Sequence, residues 1–461
     1  MGEYVFMLNK IQPIAFPGRL EGVSHLRVHL GDNVPSVKRR NRALILELIL
    51  RQGPIPRVTL SEITGLSRAA VSTITGELID ADIIEEKGEN PDCKRNVGRA
   101  PVMLDINSRL GGVLAIDIDN EGVHGAFVNL KSDLEQETDI DIADMSDPDH
   151  VLQIVNNTIC LLLAGAQLQG RRVLGIGISL PGLTDPLSGI VRSSTTLGWR
   201  NYNLVEKLQI HSGLPIVIDS NVRSMVLAEH LFGVGRSVSN MALIYLGAGI
   251  GCGIILNDEI YAGSANRAGE IGHATIIGAG DKVCSCGNKG CLETVASGKA
   301  MLSWVSEELG AGRTSTLHEL IHGDFQRLSI DMVVAAANNG DALAKGAIGH
   351  VSQYLGLAIA SLVNWYDPRL IVLAGSITEV GEILLNTIVQ VVEERSLGGS
   401  IPPQITISRF GRRTGLVGAG ALALHELVYS PRFDLPGEMR LEGGSDHMPP
   451  QRLLRLTINR G

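Results

Sequence analysis

The 461-residue sequence has few cysteines, no long apolar run and no excess of positive charge. Six cysteines and an N-terminus without the basic and apolar pattern of a signal peptide argue against a disulfide-stabilised secreted protein. No uninterrupted apolar run reaches the roughly 18 residues of a membrane span. A net charge of −9 argues against a protein that coats nucleic acid in general. We therefore expect a cytoplasmic protein with no membrane segment.

The composition favours an α/β protein of two or three domains. A hydrophobic content of 44% and 54 glycines suit many tight turns between strands and helices. Residues 1–36 are interrupted by three prolines and are expected to form a flexible extension. Residues 431–461 carry further prolines and a Gly-Gly pair, so we expect a loosely ordered tail.

Residues 37–106 have the order of elements of a winged helix-turn-helix. A first helix ends at Gly53-Pro54, a second is predicted over residues 58–64, and Ser67 can cap a third that reaches about residue 81. Two strands at residues 83–84 and 102–106 then enclose a basic wing. The alternative is a generic three-helix interaction domain.

The third of these helices has one apolar and one open face. Val71, Ile74 and Leu78 recur at helical spacing and should be core. The opposite face carries short or hydrogen-bonding side chains, with nothing bulky to hold the helix out of a DNA groove. The residues that we expect to contact DNA are Arg68, Ala69, Ser72, Thr73 and, in the wing, Arg99.

Four potential metal ligands lie within nineteen positions of the chain. They are His273, Cys284, Cys286 and Cys291. Zinc takes such a ligand set tetrahedrally, and four protein ligands leave no open position for a reacting water. The sequence therefore predicts a structural zinc. A disulfide or ordinary buried thiols are the alternatives.

Two carboxylates flank these ligands without being needed by the metal. Glu270 lies three residues before His273, and Glu293 lies two residues after Cys291. A zinc-bound imidazole also presents its second nitrogen as a donor in a fixed tautomer. Together the three side chains predict a site for a polyol, although either glutamate alone could be an ordinary surface residue.

These motifs resemble those of the ROK family, which groups sugar kinases with sugar-responsive repressors. Glu270-x-Gly-His, followed by Cys-x-Cys-Gly-x-x-Gly-Cys-x-Glu293, is similar to the family signature, and residues 60–74 and 98–101 resemble the DNA-binding module of its repressors. The resemblance implies a two-lobed actin-like sugar kinase fold over residues 107–430, with lobes of about 107–235 plus the C-terminal helix and 236–410. It also implies a bound sugar, to which we assign Glu270, His273 and Glu293, with Ser220 and Asn221 as further polar residues of the sugar side.

The chain departs from the kinases of the family where catalysis needs particular residues. Those kinases have Asp-x-Gly-Gly-Thr in the first hairpin turn, where this chain has Asp117-Ile-Asp-Asn-Glu121. Their general base is an Asp at the position of Asn221, and an amide cannot accept the proton of a hydroxyl at neutral pH. We therefore expect no kinase activity and no catalytic residues.

The sequence thus predicts a sugar-responsive transcriptional repressor that acts on operator DNA as a homodimer or homotetramer. The kinase-like domain would bind a small sugar effector without phosphorylating it. Two alternatives remain: a sugar kinase that also binds DNA, and a regulator whose kinase-like domain senses a partner protein instead of a sugar.

Overall fold

A computed structural model describes residues 34–89, 101–109, 111–276, 278–398 and 401–431. Most of the predicted extension, the tip of the wing with Arg99, and the predicted tail beyond residue 431 lie outside the described residues.

The N-terminal elements form a three-helix unit with a small antiparallel sheet of order β1-β3-β2. The predicted helices are confirmed, and one short strand that the sequence pattern did not predict adds a third strand to the wing. The elements are α1 (Val34–Gln52), β1 (Ile55–Pro56), α2 (Arg57–Thr64), α3 (Arg68–Asp80), β2 (Ile84–Glu89) and β3 (Val102–Ile106). As predicted, Ser67 caps α3, where its hydroxyl oxygen accepts a hydrogen bond from the Ala70 N–H at 3.2 Å.

A first five-stranded sheet, with its helices, makes up lobe 1. Its strand order is β11-β7-β4-β5-β6, and a separate three-stranded sheet, β10-β9-β8, lies at one end. The elements are β4 (Gly111–Ile118), β5 (Gly122–Asn129), β6 (Leu134–Asp141), α4 (Pro148–Leu168), β7 (Arg172–Leu180), β8 (Leu183–Asp185), β9 (Ile190–Ser194), β10 (Trp199–Asn203), α5 (Leu204–Ser212), β11 (Ile216–Ser220) and α6 (Asn221–Leu231).

A second five-stranded sheet makes up lobe 2, with the order β14-β13-β12-β15-β16. The elements are β12 (Met241–Leu246), β13 (Ile250–Leu256), β14 (Glu259–Ile260), α7 (Glu293–Ala296), α8 (Gly298–Gly310), α9 (Leu317–Ile321), α10 (Ile330–Asn338), α11 (Ala342–Tyr366), β15 (Leu370–Ala374), α12 (Glu382–Arg395) and β16 (Gln404–Ile407). The last helix, α13 (Thr414–Leu424), packs on β4 and β7 of lobe 1.

The two lobes repeat one topology. In each, three consecutive strands pair antiparallel, and the next two strands of the sheet add in parallel beside the first of them. The two turns that open the lobes, β4–β5 and β12–β13, therefore occupy equivalent positions. This duplication is the predicted actin-like architecture.

Alternation along β4 shows how the lobe 1 sheet is covered on both faces. Leu114 and Ile116 pack with α4, whereas Val113 and Ala115 pack with α13. The close approach of α13 depends on a glycine, because a Cβ at Gly177 of β7 would lie 2.1 Å from the Ala419 carbonyl oxygen.

Within the described ranges, α4 and α11 have the length and hydropathy of a membrane span. Both have protein neighbours along one side: α4 packs on the lobe 1 sheet and α11 packs on α12. Many of their apolar residues belong to the cores of the two lobes.

Candidate functional site

The four predicted metal ligands come together at the edge of lobe 2. The candidate ligand atoms of His273, Cys284, Cys286 and Cys291 all lie within 4.8 Å of one another. His273 ends a short 3-10 turn, Ile271–His273, and the three thiols lie on a loop that folds back on itself. Gly287 and Gly290 have φ of 91° and 71°, a backbone conformation that favours glycine and lets the loop turn tightly.

The spacing of the ligand atoms fits a tetrahedral zinc. An ion about 2.3 Å from sulfur and about 2.0 Å from nitrogen would hold two sulfurs about 3.8 Å apart, and a sulfur and a nitrogen about 3.5 Å apart. The Sγ atoms of Cys286 and Cys291 are 3.8 Å apart. The distance from Cys284 Sγ to His273 Nδ1 is 3.6 Å. Both distances therefore match those that a tetrahedral zinc would impose on these pairs of donors.

The two flanking glutamates lie on either side of the His273 imidazole. Glu270 Oε2 is 4.0 Å from Nε2, the nitrogen not directed at the thiols, and Glu293 Oε2 is 3.8 Å from Nδ1. Burial raises the pKa of Glu293, and His273 opposes that rise. A Cβ at Gly249 would lie 3.0 Å from Glu293 Oε1, so the β12–β13 turn closely approaches this carboxylate.

Ser220 and Asn221 lie where β11 of lobe 1 meets α6. Ser220 is buried and caps the helix, with its hydroxyl oxygen accepting from the Arg223 N–H at 3.4 Å. Asn221 is half-buried, and its side-chain oxygen accepts from the Val222 N–H at 2.9 Å. Among the described residues, the Asn221 amide nitrogen donates no hydrogen bond to a protein acceptor. The assignment of these two residues to a sugar stays a prediction.

A buried arginine joins the two lobes beside this junction, and sequence reasoning missed it. Arg223 contacts the Asp219 carboxylate through Nε at 2.8 Å and through Nη2, and Nη2 also donates to the Thr184 hydroxyl at 3.0 Å. Its Nη1 donates to the Asn266 carbonyl of lobe 2 at 3.1 Å. The signal in the sequence was the pair Asp219 and Arg223, an acid and a base four residues apart at a strand-to-helix junction. At the position of Arg223 the kinases of the family have Asn.

The first hairpin turn has no free cradle for a phosphate. Asp119 Oδ1 accepts hydrogen bonds from the N–H groups of Glu121 and Gly122, at 2.7 and 3.0 Å. The carboxylate thus uses the backbone donors that a phosphate would need. Asp117 is buried and accepts from the Ser179 hydroxyl at 2.5 Å. Burial raises its pKa to about 7.

Two glycines of β13 lie against α6. A Cβ at Gly253 would lie 2.2 Å from the Val222 carbonyl oxygen, and one at Gly251 would lie 2.6 Å from the Val222 side chain. These glycines of β13 therefore let lobe 2 pack against α6. Packing against α6 therefore accounts for glycine at both positions without a bound nucleotide.

The candidate DNA-binding face of α3 is open, as predicted. Val71, Ile74 and Leu78 are buried, whereas Arg68, Ala69, Ser72 and Thr73 are exposed. The Thr73 hydroxyl donates to the Ala69 carbonyl at 3.1 Å, which leaves its oxygen lone pairs available. Arg99 lies outside the described residues, so its place relative to α3 stays a prediction.

Comparison with protein families matches both parts of the chain. The model of the ROK family matches residues 113–426, and that of a winged helix-turn-helix DNA-binding family matches residues 39–85. The chain belongs to the ROK family. The predicted family and fold class are thereby confirmed.

Relatives with assigned roles include repressors. The xylose repressor of Caldicellulosiruptor bescii is 30% identical over 398 residues, which are 86% of this chain and 98% of that protein. The DNA-binding transcriptional dual regulator NagC of Escherichia coli is 31% identical over 367 residues, which are 79% of this chain and 87% of that protein.

Solved ROK structures include both a regulator and an enzyme. A ROK family transcriptional regulator, described as a homolog of the E. coli MLC protein, superposes with a TM-score of 0.75 at 32% identity, covering 86% of this chain and 98% of its own. A ROK family glucokinase from Streptomyces griseus, in complex with glucose and AMPPNP, superposes with a TM-score of 0.60 at 25% identity. That match covers 98% of the glucokinase but 67% of this chain. About a third of this chain therefore has no counterpart in the enzyme.

Proposed function

We propose that this protein is a sugar-responsive transcriptional repressor that binds operator DNA through α3 and the wing. The observation that carries the proposal is the filled β4–β5 turn, where Asp119 takes the backbone donors of a phosphate in a chain that also has a winged helix. The relatives named as a xylose repressor and as the transcriptional dual regulator NagC support a regulatory function. The protein is a regulator and not an enzyme.

The sugar is assigned to Glu270, His273 and Glu293 of lobe 2, with Asn221 of lobe 1 as a further polar residue. Glutamate carboxylates accept hydrogen bonds from sugar hydroxyls, and an imidazole nitrogen donates one. When bound, zinc on His273 and the three cysteines would hold the imidazole in one tautomer and fix the loop that ends at Glu293. Support for zinc comes from the sulfur and nitrogen spacings, and support for a sugar from the relatives' names.

We further propose a cytoplasmic homodimer or homotetramer, because one winged helix makes too few contacts for useful specificity. The chain is assigned a winged-helix domain over residues 37–106 and a sugar-binding domain over residues 107–430. A flexible extension would precede them, and a tail would follow.

The test combines a sugar panel with a DNA assay. D-xylose, N-acetyl-D-glucosamine and D-glucose are screened for a rise in the melting temperature, since a ligand stabilises by an amount set by its concentration over its Kd. The DNA probe is a duplex enriched from a random pool by the native chain. A sugar that raises the melting temperature should change the affinity for this duplex. Sugar-dependent ATP turnover would instead identify a kinase, and a duplex complex that no sugar alters would favour a protein signal.

A further inference from the structure

Helix α6 lies between lobe 2 and the N-terminal winged helix. Met225 and Val226 belong to a buried cluster with β12, β13 and β15 of lobe 2. Leu227, Ala228 and Leu231 belong instead to a cluster that includes the buried face of α1. Residues 223–231 are all buried, so α6 is enclosed between lobe 2 and the winged helix along most of its length. A displacement of lobe 2 relative to lobe 1 would therefore bear directly on this helix.

The N-terminal end of α6 is attached to both lobes at the proposed sugar site. Asn221 is its first residue, and two positions later Arg223 bonds Asp219 and Thr184 of lobe 1 and the Asn266 carbonyl of lobe 2. Asn266 lies four residues before Glu270 along the chain. Closure of the lobes on a sugar would thus act on the guanidinium that anchors this end of the helix.

The C-terminal end of α6 meets the winged helix through Arg51 of α1. The Arg51 Nη2 lies 3.1 Å from His230 Nε2. Its Nη1 donates to the carbonyl of Arg236, in the segment between α6 and β12. Glu47 adds an ion pair to Arg51 at 2.8 Å within α1. Among the described residues, Arg51 Nε is buried without a hydrogen-bond partner. Unpaired buried polar atoms are uncommon, so this atom marks a contact that another arrangement could satisfy better.

We propose that α6 couples the sugar site to the DNA-binding face, with Arg51 as the positioning residue that follows the C-terminal end of the helix. The winged helix shares a hydrophobic core with lobe 1, so a change in the setting of α6 reaches α1 by packing and through the Arg51–His230 contact. Arg223 and His230 are seven positions apart, about 10 Å along a helix. The inference rests on the proposed function for its ligand, but the mechanical link can be tested without a sugar.

The first experiment is a double-mutant cycle on operator affinity in the absence of sugar. Arg223→Lys keeps a positive charge beside Asp219. A lysine cannot donate at the same time to Asp219, Thr184 and the Asn266 carbonyl, as the guanidinium does. His230→Leu removes the acceptor of Arg51 while retaining apolar volume. Substitutions this far apart that share no partner usually combine to within about a factor of two. We expect Arg223→Lys to change the Kd for the enriched duplex at least threefold in the native chain and less than twofold in His230→Leu.

Two controls separate coupling from loss of structure. His230→Gln restores an acceptor for Arg51 and should restore the response to Arg223→Lys. Arg313→Ala removes an exposed arginine that pairs with Glu308 at 3.0 Å in lobe 2, and should change nothing. The same factor for Arg223→Lys in both backgrounds, or no effect in the native chain, would overturn the proposal.

The second experiment separates this inference from the proposed function. With a sugar that binds, its effect on operator affinity is expected in the usual range of about 5- to 150-fold and should fall below twofold in His230→Leu, with sugar Kd unchanged. If no sugar of the panel binds but the cycle is non-additive, sugar sensing fails and the coupling stands. If the chain binds no duplex, the quantity measured is the amide hydrogen exchange of α1. It is measured in the native chain, Arg223→Lys, His230→Leu and the double variant. Equal α1 protection in all of them would refute the coupling.

Discussion

Replacing Glu270 by alanine should weaken sugar binding and leave the metal site intact. The Glu270 side chain is about half exposed, at 49%, and is not one of the four clustered ligands. A charged acceptor contributes about 1.5–3 kcal/mol to a hydrogen bond, and partial exposure to water favours the lower end. Since about 1.4 kcal/mol is tenfold in Kd, we expect Glu270→Ala to raise the sugar Kd roughly tenfold. Glu293 is 21% exposed, so Glu293→Ala should raise it more.

Removing a metal ligand should have a broader effect on the same site. In Cys286→Ser the shell loses one thiolate, and His273 loses the ion that fixes its orientation. We expect this variant to lose both zinc and the sugar response, because the loop from Cys284 to Cys291 leads directly into Glu293. The two glutamate variants should keep their zinc.

The assay measures three quantities for each variant: zinc by mass spectrometry, the sugar-induced rise in melting temperature, and the Kd for the enriched duplex. Glu307→Ala, at an exposed position on α8, and Cys160→Ser, at an exposed position on α4, are the matched controls and should behave as the native chain does. Loss of zinc in Glu270→Ala, or an intact sugar response in Cys286→Ser, would refute the division of roles between metal ligands and sugar ligands.

Three further predictions concern catalysis, DNA reading and pH. A coupled assay should detect no sugar-dependent ATP hydrolysis above background, and a turnover of about 1 s⁻¹ or faster would contradict the regulator assignment. Arg68→Ala and Ser72→Ala should each weaken binding to the enriched duplex about tenfold more than binding to random duplex, because base contacts carry specificity; equal losses on both would show that this face does not read sequence. Burial raises the pKa of Asp117 to about 7, above its unfolded value, so stability should fall as the pH rises from about 4 to 7. Urea unfolding at pH 5 and 8 should show a smaller fall for Asp117→Asn, and equal falls would contradict the buried, protonated carboxyl.

The sequence alone predicted the elements whose cause is local. Ser67 caps α3 because a hydroxyl and the helix N–H groups that it satisfies are three positions apart. The metal loop is equally local: three cysteines in eight positions, with glycines where the chain must turn, leave few paths other than the one observed. The apolar face of α3 likewise follows from a pattern of period 3.6.

Tertiary structure decided which distant residues meet. No spacing in the sequence joins Arg51 to His230, 179 positions away, or Arg223 to the carbonyl of Asn266. The sequence shows a glycine at position 253, but only the packing shows that Gly253 makes room for α6. Local patterns report the state of one segment, whereas these contacts depend on how separate segments pack. The sequence therefore determined the parts and their chemistry, and the packing of α6 between lobe 2 and the winged helix decided how they are connected.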